Sequence, residues 1–159
     1  MESQRKNNLS TPALFIDKEA VFALLLCQEG LLTPVNHLMN EKEMHEVDNT
    51  GLFEGQSFPF SFILAPAGKR NEQVMRESKK GDEIALICEN HLCGKLLVDS
   101  AFKIDKQARL FKIMSGDIYS KKAQHIYNRL GNYALCGEYE LYLQSEIFAF
   151  KDRATKQAI

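Results

Sequence analysis

The chain has 159 residues and a hydrophobic content of 45%, enough for one domain with a sizeable core. Its 20 Lys and Arg against 21 Asp and Glu give a formal charge of −1, without the basic excess of a dedicated polyanion binder. No stretch approaches the ~20 apolar residues of a membrane span. The polar start from Glu2 to Asn8 lacks signal-peptide organisation, so a cytoplasmic protein is expected.

In chain order, residues 1–14 read as a mobile N-terminal segment. Asp17 is a good N-cap for a helix from Lys18 to about Gln28, and Gly30 supplies its left-handed stop. Pro34 marks a turn. Asn40 caps a second short helix, Glu41 to Asp48. The apolar run from Phe58 to Ala65 predicts a strand, with Phe60, Phe62 and Leu64 on one face and Ser61, Ile63 and Ala65 on the other. Asn71 to Lys80 is polar and predicts a short helix or an exposed loop. Glu83 to Cys88 and His91 to Val98 read as a hairpin. Phe102 to Ile104 and Ala108 to Met114 alternate apolar with basic residues, the pattern of half-exposed strands. Helical spacing returns from Lys121 to Leu130, ended by Gly131, and the last strands are Tyr133 to Cys136 and Glu140 to Phe150. Residues 151–159 remain as a C-terminal tail or the start of a linker. Short strands with flanking helices predict an α+β fold built on a mostly antiparallel β-barrel.

Cys27, Cys88, Cys93 and Cys136 follow no zinc-ligand spacing. Their plain reading is small buried hydrophobes, although Cys88 and Cys93 are placed to face each other across the hairpin. His37, beside Asn36 and near Glu41 and Glu43, is the best candidate for a functional histidine. Its bland alternative is a surface histidine at a helix start. A small-ligand or metal site centred on His37 and His45 is a weaker reading. Lys103, Lys106, Arg109 and Lys112 form a basic series on the predicted strand pair. They are either a phosphate- or RNA-facing surface or solvated strand faces balanced by acids elsewhere.

Several of these stretches occur together in an order that resembles one family. Gly30, Pro34 and Met39 lie in one segment, Gly55, Phe58 and Pro59 in a second, and Gly81-Asp82-Glu83-Ile84-Ala85-Leu86 form a third. Leu130-Gly131 and Cys136-Gly137 follow as closing glycines. The pattern, from about Leu24 to about Leu143, is similar to the N-terminal PUA-like domain of ATP sulfurylase (sulfate adenylyltransferase). This copy departs from it at Asn36-His37, at Ser61, and at Ser120-Lys121-Lys122-Ala123, where the family has "H-P-G-V". The family's nucleotide-holding "Q-x-R-N-P-x-H-x-x-H" and "G-R-D-H-A-G" segments have no counterpart in the chain.

The resemblance implies a PUA-like domain over residues 15–150. It also implies a function without catalysis of its own, exerted on a sulfate adenylyltransferase catalytic domain in cis or in trans, or through a homo-oligomer. No catalytic residue, cofactor or metal is expected, and no membrane contact. Asn36, His37, Lys103, Lys106, Arg109 and Lys112 are the residues expected to form any functional surface. RNA binding by a PUA-like module is the alternative.

Overall fold

The computed structural model describes residues 12–142. In order these form β1 (Ala13–Phe15), α1 (Lys18–Gln28), α2 (Glu41–Thr50), β2 (Leu52–Phe53), β3 (Gln56–Ser57) and β4 (Leu64–Pro66). There follow α3 (Lys69–Glu77), β5 (Glu83–Cys88), β6 (His91–Lys103), α4 (Lys106–Ile113), α5 (Lys121–Arg129) and β7 (Leu130–Leu141). The main sheet has the order β1-β5-β6-β7-β4, and β2 and β3 make a separate hairpin.

The α+β expectation holds, and β4 to β7 pair antiparallel. The mostly antiparallel character holds as well, but the strands form a mixed, half-open sheet rather than a full barrel. β1 joins β5 in parallel, and the mixed sheet curls into a half-barrel with β1 and β4 at its edges. The reason for the parallel strand lies in the connection: α1 and the long path to β5 separate the partners, so no hairpin ties them.

Local signals explain most of the elements. Asp17 accepts the Ala20 amide, and Asn40 and Glu43 form a reciprocal capping box on α2. The β5–β6 turn uses Glu89 and Asn90, both at positive φ, as a tight hairpin requires. The side chain of Asn71 on α3 is buried and bonds both backbone groups of Phe15, covering part of the β1 edge.

The core lies on both faces of the sheet. On one face Leu14, Leu24, Met75, Leu86, Leu96 and Leu135 are fully or almost fully buried beneath α1 and α3. On the other, Met44 of α2 packs with Phe102, Ile104, Ala134 and Cys136. A bulge in β6 makes the two-faced arrangement possible. Val98 pairs with Gly137 and Ser100 with Cys136, so Asp99 is an extra residue. That one-residue slip turns the even-numbered side chains of β6 over, from the Val98 face to the Phe102 face. A side chain at Gly137 would collide with the Leu97 carbonyl at this crossing.

Several sequence expectations are corrected. Phe58 to Ile63 is irregular, and only Leu64–Pro66 joins the sheet. The expected two-faced alternation is absent: Phe60 is exposed although Leu64 is buried, and Ser61 and Ala65 are buried too. Ala108 to Met114 falls on α4 and its C-cap rather than on a strand, because Asp105 caps a helix in which Leu110, Ile113 and Met114 recur at helical spacing. Gly131 does not stop α5. It sits inside β7, where a Cβ would strike the Pro66 carbonyl. The last two strands merge into β7. Its expected continuation to Phe150, and the segments at 1–11 and 151–159, lie outside the described residues.

Candidate functional site

The residues singled out by sequence separate into three places. Asn36 and His37 lie together in a cleft of about 920 Å³ that also takes in Lys80, Asp99, Cys136 and Tyr139. His37 Nε2 is 2.8 Å from Glu43 Oε2, and Nδ1 is 2.6 Å from Asn36 Oδ1. The other Glu43 oxygen accepts the Asn40 backbone N–H at 3.1 Å. The same carboxylate therefore closes the α2 capping box and fixes the imidazole. Of the two glutamates named near His37, Glu43 is its partner; the capping box that holds it was not read, though its signal was there in an Asn three residues before a Glu. His45 stands apart, 3.9 Å from Glu41 on an exposed helix face. Among the described residues no group of three His, Cys, Asp or Glu side chains is placed to hold a metal.

Arg109 lines a second concavity of similar size, a groove of about 930 Å³ between α1, residues 58–67, α4 and α5. Its guanidinium donates from Nη1 to Ser61 Oγ at 2.7 Å and from Nη2 to the Ser61 carbonyl at 2.8 Å. Ser61 Oγ in turn donates to Asp48 Oδ1 at 3.0 Å. Burial pulls the Arg109 pKa down, and the nearby Asp48 carboxylate opposes that pull. A cation from α4 and an anion from α2 are thus joined through one buried hydroxyl. This latch holds the irregular 58–63 segment in place of a strand ladder. Its Nε is buried with no partner among the described residues. At the groove's rim Arg129 bonds Asp17 in two places and reaches Glu19 at 2.8 Å. Burial raises the Asp17 carboxyl, but the Arg129 and Ala20 hydrogen bonds outweigh it and hold the group below its ordinary value.

The third place is the surface of α4 and its surroundings. Lys103 ends β6 and is exposed. Lys106 lies over the Tyr127 ring at 4.3 Å, a cation–π contact, and Lys112 is exposed in the last turn of α4. Arg109 and Lys112 therefore do not form one basic strand face: the first is spent inside, the second faces solvent.

The four cysteines are free. Cys93 is the extra residue of a second bulge, between Leu92 and Gly94, and points its Sγ at the Leu86 carbonyl, while the register sets His91 rather than Cys93 opposite Cys88. Burial pushes its thiol up to about 11 and raises those of Cys27, Cys88 and Cys136 as well. Raised thiols are poor nucleophiles at neutral pH.

No helix among the described residues is long and apolar enough to cross a membrane. No curated protein matches the chain. Among solved structures the chain is similar to the hexameric APS kinase from Thiobacillus denitrificans, with a TM-score of 0.56 at 16% identity. That likeness covers 93% of this chain and 25% of the kinase chain, so it is a likeness of fold to one quarter of a larger protein. The model of the PUA-like domain matches residues 1–143, and the chain belongs to that PUA-like domain family.

Proposed function

We propose that this PUA-like domain is an accessory module of sulfate activation, without catalysis of its own. It would act on a sulfate adenylyltransferase catalytic polypeptide in cis or in trans. The observation that carries the reading is the fold likeness of nearly the whole chain to a quarter of an APS kinase chain. The geometry is compatible with it, since His37 is tied to the α2 cap and Arg109 to Ser61, both as parts of the scaffold. The test is formation of adenylyl sulfate from ATP and sulfate by the chain alone and mixed with a sulfate adenylyltransferase catalytic polypeptide. The expected result is no turnover by the chain alone; robust turnover would sink the reading.

RNA binding is the second reading, favoured by one feature. Lys112, Lys121 and Lys122 are exposed and make no ion pair among the described residues, next to the exposed rings of Phe111 and Tyr119. Lysines beside exposed rings can attract phosphates and stack bases. Salt-dependent binding to a structured RNA would support it, and no binding at low salt removes it.

A further inference from the structure

Charge is divided within this nearly neutral chain. Residues 41–54 carry five Asp and Glu against Lys42 alone, and residues 103–129 carry seven Lys and Arg against Asp105 and Asp117. With Asp48 and Arg109 turned onto Ser61 and Arg129 held by Asp17 and Glu19, the exposed acids are Glu41, Glu46 and Glu54 on one side, and the exposed bases are Lys103, Lys112, Lys121 and Lys122 on the other. The two lobes lie side by side, because Asp48 of α2 and Arg109 of α4 meet on Ser61. Each lobe also exposes large apolar side chains. Leu52 and Phe60, on and beside the β2–β3 hairpin, are 45% and 41% exposed in the acidic lobe's neighbourhood. Phe111 and Tyr119 of the basic lobe are 58% and 93% exposed.

The Tyr119 arm is built rather than loose. Gly116 N–H bonds the Phe111 carbonyl, Asp117 accepts the amides of Tyr119 and Ser120, and Ser120 caps α5. A backbone held in a fixed turn has already met its own part of the ordering cost of binding. An exposed aromatic side chain followed closely in the chain by the exposed Lys121 and Lys122 has the composition of an interface anchor with a charged rim.

We propose that two copies of this chain pair about a two-fold axis. The Tyr119 arm of each, with Lys121 and Lys122, docks on the acidic α2 and β2–β3 surface of the other. Adjacent complementary lobes favour this closed arrangement, since each copy offers both halves and the contact is satisfied within the pair. A formal charge of −1 leaves little long-range repulsion between copies. The pairing is independent of the reading as a sulfate-activation module.

The test is sedimentation velocity on the full chain at low and high salt. A dimer that weakens with salt is expected. Tyr119→Ser, the pair Lys121→Glu with Lys122→Glu, and the pair Glu41→Lys with Glu46→Lys should each weaken association by roughly tenfold or more. All five positions are exposed, and circular dichroism verifies that the variants fold. The decisive arm mixes the two charge-reversed proteins, which should associate with each other although neither associates with itself. A monomeric wild type at low salt overturns the proposal, as does a dimer indifferent to these variants or a mixture that fails to associate. Loss of RNA binding in the lysine variant with unchanged sedimentation assigns the face to nucleic acid and also overturns it.

Discussion

The β5–β6–β7 meander and the segment from Phe58 to Ile63 are both apolar stretches, yet different forces hold them. The meander satisfies its backbone through its own ladder and buries Leu86, Leu96 and Leu135 completely. The 58–63 segment makes no ladder. Its Ser61 carbonyl and hydroxyl are held by Arg109, 48 residues on, its Ser61 amide faces Asp48 at 3.4 Å, and its Phe62 carbonyl accepts the Met39 amide. The lesson is that a hydrophobic run forms a strand only where a neighbouring strand can take its hydrogen bonds. Where a charged side chain supplies the donors instead, the same composition becomes an ordered loop.

That contrast sets the order of expected effects. Leu96→Ala empties the middle of the meander and should cost about 2–5 kcal/mol in denaturant unfolding. Arg109→Met removes both donors from Ser61, leaving a buried carbonyl short of a partner and Asp48 without its nearby cation, with an expected loss of about 1–3 kcal/mol. Ser61→Ala should cost less. In a double-mutant cycle the Arg109 and Ser61 losses should fall short of additivity, because both changes break the same latch. Additive losses would show that the latch is not one unit. Asn40→Ala removes the α2 cap that also positions Glu43, and should cost about 1 kcal/mol.

The smallest effect concerns the tie between α1 and α5. Asp17→Asn keeps a capping side chain but removes the charge facing Arg129. The folded Asp17 carboxyl sits below its ordinary value. Its contribution is therefore complete above the unfolded pKa and is lost as pH falls through the folded one. The stability gap between wild type and Asp17→Asn should be largest near neutral pH and close on acidification. A gap that widens in acid would reverse the sign assigned here.

Much of the scaffold was legible along the chain. Asp17 and Asn40, read as caps, each bond the third amide of their helices, and the Glu89-Asn90 turn joins the hairpin where punctuation residues placed it. These are local interactions, spanning a few residues. The candidate surface was less legible. Asn36 and His37 do share one cleft, but Arg109 is turned inward by its contact with Ser61. The alternation from Ala108 to Met114 imitated a strand, while the Asp105 cap and the spacing of Leu110, Ile113 and Met114 carried the helical signal.

By itself, then, the sequence determined the capped helices, the hairpin and the α+β class, since each rests on contacts between near neighbours in the chain. Only the tertiary structure decided that β1 joins in parallel and that the Asp99 bulge turns β6 from one core to the other. It also decided that Gly131 and Gly137 serve close approach of strands, and that Arg109 is a latch. Each of these depends on which distant backbone group a residue meets, and residue type and local spacing do not encode that meeting.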